Sequence, residues 1–239
     1  MPRFFIDGTA DGRAYIAGAD ALHIAKALRM RPGEALTLCD GKGTDFEGVL
    51  ETVTDRQVTV RITVSRPSQA EPTLAVTLHQ GLPKGDKMDW IVQKAVELGV
   101  TAVVPVATRR SVARLEGKAD KKQERWQRIA AEAAGQCGRG ILPAVERPLS
   151  WNQALSRLSG EPALVFYEGG GRPLRELVTP STRRLSVFVG PEGGFDPEEI
   201  DAIRRQGGGV ATLGPRILRC ETAPLAALTL LMHLSGNME

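Results

Sequence analysis

The chain has 239 residues, of which 42% are hydrophobic and 25% charged, so it can bury a sizeable core in one large domain or two unequal ones. Its formal net charge of +3 is too small to establish a nucleic-acid partner without local clustering of basic residues. Three cysteines without a C-x-x-C pair and three scattered histidines argue against a disulfide scaffold and a metal centre, and the lack of an apolar leader or of an apolar stretch long enough to span a bilayer predicts a cytoplasmic protein.

The first 66 residues have the pattern of short strands and turns. Strands are predicted over 35–39, 46–53 and 57–64. One helix is predicted over 19–28, with an apolar face of Ala21, Leu22, Ala25 and Leu28. These features predict a small β-rich barrel or sandwich, which the linker 66–72 joins to the rest of the chain.

After Pro72 the pattern changes to alternating apolar strands and amphipathic helices, which predicts an α/β domain with a mostly parallel sheet. Strands are predicted over 74–78, 102–106, 163–167, 185–189 and 210–213. Helices are predicted over 87–98, 120–137, 151–158, 197–206 and 222–234, with a short one over 173–178. The last helix is apolar nearly all round, which favours a subunit interface over a central core position.

Two glycine-bearing segments, 190–194 and 213–223, each follow a predicted strand and precede a helix. Glycine tips side by side in a parallel sheet form a crevice where backbone atoms can contact a ligand. Phosphate is disfavoured, because neither nucleotide-binding glycine pattern is present and because Glu192 would offset the attraction of loop amides for an anion. S-adenosylmethionine, a zwitterion with an adenosine part and a positive sulfur, fits this charge better. The alternative is a plain turn before a helix, with Glu192 facing solvent or capping a neighbouring amide.

Basic residues form two clusters that could contact phosphates. One follows the strand at 102–106 and consists of Arg109, Arg110, Arg114, Lys118, Lys121, Lys122, Arg125 and Arg128. The other, in the small domain, consists of His23, Lys26, Arg29 and Arg31. For 118–128 a solvated helix face is favoured, because acidic residues are interleaved with the basic ones.

Two further basic residues lie at the ends of predicted elements. Lys84 follows a strand end, where an ion pair with an acidic residue is the alternative to an RNA contact. Arg139 ends a helix and could simply complement the helix dipole.

Five segments in this order resemble the bacterial 16S ribosomal RNA (uracil-N3)-methyltransferase family of the SPOUT superfamily, over essentially the whole chain. They are 81–99, Arg110-Ser111, 136–139, 190–194 and 213–223. The resemblance implies a PUA-like RNA-binding β-barrel over 1–68 and a SPOUT methyltransferase domain over 73–239, α/β in class, with a trefoil knot and a homodimer built through it. Cys220 stands where other members often have Thr, a change between two small side chains.

By this resemblance, S-adenosylmethionine is held mostly by backbone amides and carbonyls. The expected contacts are Tyr167, Glu168, Gly169, Gly190, Pro191, Glu192, Gly193, Gly194, Leu213, Gly214, Ile217, Leu218, Thr222 and Ala223. Arg219 is the candidate stabiliser of negative charge on the reacting base, and Glu221 the candidate base or orienter, with an ion pair between the two as the alternative. RNA contacts are expected from Arg3, Lys26, Arg29, Lys84, Arg110 and Arg139.

The function expected from the resemblance is methylation of N3 of a specific uridine in 16S ribosomal RNA, within the small ribosomal subunit and without a metal. Two alternatives are a SPOUT enzyme that methylates a ribose 2′-hydroxyl and a non-catalytic RNA-binding assembly factor. A dehydrogenase is disfavoured, because the dinucleotide-binding fingerprint is missing.

Overall fold

The computed structural model describes residues 2–112, 117, 119–158 and 160–238. Arg114 and Lys118 of the first basic cluster therefore lie outside the described residues. The chain divides into two compact units, Met1–Glu71 with Ala134–Leu142, and Pro72–Ala133 with Pro143–Glu239. The division at Glu71 falls in the predicted linker, whereas the return of 134–142 to the first unit has no counterpart in the sequence pattern.

The first unit is built on a five-stranded sheet of mostly antiparallel strands. Its strands are β1 (Arg3–Phe5), β2 (Arg13–Ala17), β3 (Ala35–Cys39), β4 (Thr44–Val53) and β5 (Gln57–Pro67). They lie in the order β1-β3-β4-β5-β2, and only the pair β1–β3 is parallel. The sequence pattern missed β1, which has three residues, and β2, which turns only Ala14 and Ile16 inward.

The predicted helix of the first unit is α1 (Gly18–Leu22) followed by a π-helical turn over His23–Ala27. Its buried residues are Ala21 and Ile24, whereas Leu22 and Leu28 of the predicted apolar face are exposed. The amide of Leu28 donates to the carbonyl of His23, five residues earlier. This wider turn rotates the later residues away from the face expected of an α-helix.

The second unit is an α/β layer structure, as predicted. Its strands are β6 (Ala75–Gly81), β7 (Ala102–Ala107), β8 (Ala144–Val145), β9 (Leu149–Ser150), β10 (Ala163–Phe166), β11 (Arg172–Pro173), β12 (Arg184–Val189) and β13 (Gly209–Thr212). The order is β11-β13-β10-β12-β6-β7-β8, with β9 also on β7. In the described part of the chain, every pairing in this sheet is parallel.

Helices connect these strands near the predicted positions. They are α2 (Lys87–Glu97), α3 (Ala119–Cys137), α4 (Trp151–Ser156), α5 (Pro197–Arg205) and α6 (Thr222–Leu234), with a 3-10 turn over Leu174–Glu176. At the start of α5, Asp196 accepts a hydrogen bond from the Glu198 amide, and Glu199 completes a capping box. The helix start predicted at Asp196-Pro197 is therefore confirmed.

The core of the second unit lies beneath the carboxyl ends of its central strands. Phe188 and Phe195 are fully buried, and the ring of Trp151 packs against both at 5.6 Å between centroids. His79 of β6, only 3% exposed, stacks on Phe188 with centroids 4.2 Å apart. Burial, with a smaller contribution from the charge of Arg157, lowers the pKa of His79 to about 4.

We expect the free energy of unfolding to fall as the pH falls from 6.5, the ordinary pKa of histidine, towards 4. In that range His79 binds a proton in the unfolded chain but not in the folded protein. This residue alone therefore changes the free energy of unfolding by up to about 1.4 kcal/mol per pH unit. Urea unfolding at several pH values should show a shallower slope for His79→Phe than for the wild type. An identical slope in His79→Phe and the wild type would assign the effect to other groups.

Candidate active site

The candidate site lies where β12, β10 and β13 end at one edge of the sheet. The segment 190–194 follows β12, the segment 167–169 follows β10, and the segment 213–218 follows β13. The sequence pattern placed the two glycine-bearing tips side by side, and this is wrong: β10 lies between β12 and β13 and pairs with both. The segment expected as a third wall is therefore the central one.

These strand ends surround a cavity of about 470 Å³. Its lining includes most of the predicted cofactor contacts, namely Tyr167, Glu168, Gly190, Pro191, Glu192, Gly193, Gly194, Leu213, Gly214, Ile217, Leu218 and Ala223, together with Arg219. Gly169, Glu221 and Thr222 adjoin lining residues in the chain but are not part of the lining.

Six lining residues were not among the predicted contacts. They are Lys87, Phe166, Val189, Thr212, Arg216 and Cys220. Three of them are the last residues of β10, β12 and β13, whose apolar or hydroxyl side chains carry no chemical signal in the sequence. Lys87, Arg216 and Cys220 lie inside the segments that carry the family resemblance, so that resemblance was the available signal for them.

The segment 190–194 approaches the end of β6 so closely that β6 must end in glycine. A Cβ on Gly81 would lie 2.5 Å from Cδ and 2.6 Å from N of Pro191. The fully buried Gln80 donates its amide to the carbonyls of Gly81 (3.1 Å) and Gly190 (3.3 Å). The backbone of the loop is thereby held to the neighbouring strand before any ligand binds.

Gly194 closes the tight turn of this segment. Its φ of +64° favours glycine, and its amide donates to the carbonyl of Pro191 at 2.9 Å. The carboxylate of Glu168 lies over Gly194, in the space that a Cβ would take. Within the described ranges no cation pairs with Glu168, so the cavity holds one uncompensated carboxylate at this wall.

Glu192 caps a neighbouring amide, which was one of the two alternatives left open by the sequence. Its carboxylate accepts from the amide of Lys84 at 3.1 Å and from Nζ of Lys87 at 2.9 Å. Burial alone would raise the pKa of Glu192, but hydrogen bonds from Lys87 and from backbone amides hold it below its ordinary value. Glu192 is thus an ionised residue of the loop, and its charge is compensated by Lys87.

The same ammonium group reaches the start of α6. Nζ of Lys87 lies 3.3 Å from Glu221, and the Cys220 thiol donates to the same carboxylate at 3.1 Å. The hydrogen bond from Cys220 makes the largest contribution. Together with the contact with Lys87, it holds the pKa of Glu221 below its ordinary value. Burial and the neighbouring Glu221 raise the pKa of the Cys220 thiol to about 12, so it is not an activated nucleophile.

Arg219 is exposed at the mouth of the cavity, and no acidic side chain in the described part of the chain pairs with its guanidinium. The ion pair between Arg219 and Glu221 that the sequence left as an alternative is therefore not formed. The carbonyl of Arg219 accepts from the amides of Thr222 and Ala223, both at 2.9 Å. These two hydrogen bonds fix the position of the Arg219 backbone relative to the first turn of α6.

Arg3 and Arg139, two of the predicted RNA contacts, form ion pairs within the first unit. Arg3 pairs with Asp45 at 2.5 Å, and both side chains are largely buried. The Arg139 side chain is only 4% exposed and pairs with Glu71 at 2.7 Å. Glu71 also accepts from the amides of Gly140 and Ile141. Both arginines hold segments of the first unit together, and their contacts with RNA stay a prediction.

The other predicted RNA-binding residues keep accessible charges. Lys26, Arg29 and Lys84 are exposed. Arg110 is partly exposed and donates to the carbonyl of Gly193 at 3.2 Å, so it borders the glycine-bearing loop. These four cations stay candidates for phosphate contacts.

The described residues contain neither a metal-binding cluster nor a membrane-spanning helix. No group of three histidine, cysteine or carboxylate side chains is placed there to hold a metal ion. No helix of that part is both long and apolar enough to cross a membrane.

Comparison with known proteins gives concordant family matches. The model of an RNA methyltransferase domain matches residues 69–232, and that of an RNA methyltransferase PUA domain matches residues 16–63. The chain is 35% identical to ribosomal RNA small subunit methyltransferase E of Bacillus subtilis, over 98% of this chain and 96% of that protein. It is 31% identical to the protein of the same name from Mycobacterium tuberculosis, over 94% and 88%.

A solved structure also resembles this chain over nearly its whole length. The crystal structure of ribosomal RNA small subunit methyltransferase E from Neisseria gonorrhoeae, bound to S-adenosylmethionine, superposes with a TM-score of 0.89. The two chains are 34% identical, and the match covers 98% of each.

A valine at position 193 should disturb the cavity through Arg110. Its Cβ would lie 3.1 Å from Cβ of Arg110, so the loop must move and the hydrogen bond from Arg110 to the carbonyl of residue 193 is weakened. We expect Gly193→Val to lower the affinity for S-adenosylmethionine at least about tenfold in calorimetry. Gly135→Ala on α3, where a Cβ would meet only the Phe5 ring at 3.8 Å, is the control and should bind normally. Unchanged affinity in Gly193→Val would mean that this loop is not a wall of the cofactor site.

Proposed function

The chain belongs to the ribosomal RNA small subunit methyltransferase E family, and we propose that it transfers the methyl group of S-adenosylmethionine to N3 of a uridine in small-subunit (16S) ribosomal RNA. The family supports the enzyme class, the cofactor and the RNA. The position on the base is the finer part of the proposal. The observation that carries it is the cavity bounded by three parallel strand ends, with the free guanidinium of Arg219 at its mouth.

The cavity fits the cofactor in size and in the character of its walls. Its volume of about 470 Å³ lies in the range of small-molecule sites, roughly 300–1,000 Å³. Four glycines line it, Gly190, Gly193, Gly194 and Gly214, where an adenine could approach the main chain without meeting a side chain. Ile217, an apolar side chain 84% exposed at its edge, is placed to cover a bound ligand.

The charge of the walls also supports this ligand. The carboxylate of Glu168 and the exposed guanidinium groups of Arg216 and Arg219 all line the cavity, so it offers charges of both signs to a zwitterionic ligand. When bound, S-adenosylmethionine supplies an electrophilic methyl group on a positively charged sulfur.

The residues at the mouth supply what a uracil N3 needs. N3 carries a proton and is a poor nucleophile until that proton passes to solvent water and negative charge spreads onto O2 and O4. Arg219, cationic and unpaired, is the proposed stabiliser of that charge. Glu221 is proposed to orient the site rather than to act as the base, because its lowered pKa and its contact with Lys87 make it a weak proton acceptor.

The RNA is proposed to bind through accessible cations and to present an unstacked base. The accessible candidates for phosphate contacts are Lys26, Arg29, Lys84 and Arg110. The substrate is proposed to be RNA within the small ribosomal subunit, which places the reaction in the cytoplasm.

A homodimer with a trefoil-knotted methyltransferase domain is part of the same proposal. The buried face of α6 includes Ala227, Leu228, Leu231 and Met232, whereas Leu230 is 41% exposed on another face. An exposed leucine on a helix that is apolar nearly all round supports a second copy as its partner.

Methyl transfer to small-subunit particles, followed by mass spectrometry of the digested RNA, tests the function. We expect one methyl group on a uracil base, at N3. Methylation of a ribose 2′-hydroxyl would replace the proposal with the related activity. Absence of both transfer and cofactor binding would favour an RNA-binding assembly factor.

Arg219→Ala should separate chemistry from cofactor binding. We expect the affinity for S-adenosylmethionine to stay within about twofold of the wild type, while kcat falls roughly 100-fold, a loss typical of one charge-stabilising group. The control is Arg204→Ala on α5, which removes a surface pair with Asp201. Equal losses of affinity and turnover in Arg219→Ala would make Arg219 a structural residue.

A further inference from the structure

Lys87 joins two segments of the site that the chain itself does not join. Its ammonium lies 2.9 Å from the carboxylate of Glu192, in the loop after β12, and 3.3 Å from that of Glu221, at the start of α6. The buried Cys220 thiol lies 3.7 Å away on a third side. We infer that Lys87 is a positioning residue, which holds the cofactor loop 190–194 and the Arg219-bearing start of α6 against each other.

The arrangement differs from an ordinary surface ion pair, because one cation serves two carboxylates. Within the residues that the structure describes, no other cation pairs with Glu192 or Glu221. Removing the ammonium would leave two negative groups close together on separate segments, and their repulsion would push those segments apart. A single exposed pair, by contrast, contributes little to stability.

Each carboxylate also accepts a further hydrogen bond, Glu192 from a backbone amide and Glu221 from a thiol. Glu192 accepts from the amide of Lys84, in the loop before α2, and Glu221 accepts from the Cys220 thiol. Lys87 itself is the first residue of α2. The loop before α2, the loop 190–194 and the start of α6 are therefore linked through one ammonium group. We expect its removal to affect all three.

The consequence for catalysis rests on the proposed function. The loop 190–194 is a wall of the cofactor cavity, and the turn of Arg219 to Ala223 aims the proposed charge stabiliser. Lys87 thus couples the place where the methyl donor binds to the group that acts on the RNA base. It is predicted to act through these segments and not to touch the reacting atoms.

Hydrogen–deuterium exchange of the full chain without ligand tests the coupling independently of activity. We expect Lys87→Met to speed exchange at the amides of Lys84, Gly194, Thr222 and Ala223 at least about fivefold, since each is bonded within this cluster or its loops. Lys87→Arg, which keeps the charge, should exchange like the wild type. Unchanged exchange of these amides in Lys87→Met would overturn the inference.

A charge-compensated variant distinguishes repulsion from simple loss of packing. In Lys87→Met/Glu192→Gln only one of the two carboxylates is left, so exchange should recover most of the protection that Lys87→Met loses. A double variant as impaired as Lys87→Met, or more so, would contradict the coupling. If Lys87→Met does not fold, a folded double variant supports the inference and an unfolded one overturns it.

The matched control lies on the same helix. Lys94 of α2 has similar side-chain exposure, 28% against 34% for Lys87. Among the described residues Glu97, at 2.7 Å, is its one ion-pair partner, and its ammonium also lies over the Trp90 ring. Lys94→Met should leave exchange in the four reporter amides, cofactor affinity and turnover as in the wild type; if it matched Lys87→Met, the inference would be wrong. Failure of the wild type itself to bind S-adenosylmethionine would contradict the proposed function, while the exchange result would still decide the role of Lys87.

Discussion

Close approach of main chain to main chain, at the edge where parallel strands end, is the constraint on which the site depends. The parallel pairing of β6, β12, β10 and β13 brings four carboxyl ends to one edge. There Gly81 lies so near Pro191 that any side chain would collide with backbone, and buried Gln80 holds the carbonyls of both strand ends. The strand ends that bound the cavity are therefore held in place by the sheet.

Charged side chains complete the site that the strand ends form. Lys87 pairs with both Glu192 and Glu221, whereas Glu168, Arg216 and Arg219 line the cavity without an ion-pair partner in the described residues. The carboxylate suits a cationic methyl donor, and a guanidinium group suits a base that becomes negative. Ion pairs elsewhere, such as that of Arg139 with Glu71, join segments distant in sequence within the first unit and have no part in the cavity.

Local signals predicted much of this architecture. Asp196-Pro197 followed by two glutamates identified the start of α5, and the run from Thr222 to Leu234 matches α6 residue for residue. The glycine-bearing segments were rightly placed at strand ends. The errors concern neighbours in space: β10 lies between the two glycine-bearing tips, and the helix face after α1 is rotated.

The sequence by itself determined the helices, the longer strands other than β2, the α/β class and the family, because caps, glycine stops and apolar periodicity act over a few residues and survive in the linear order. Only the tertiary structure decided strand order, which arginines are buried, and the meeting of Lys87 with Glu192 and Glu221. These features depend on contacts between residues far apart in the chain. The sequence does not show whether a charged side chain faces water or an ion-pair partner. Burial and pairing are properties of the folded arrangement, so the role of each charge emerges only there.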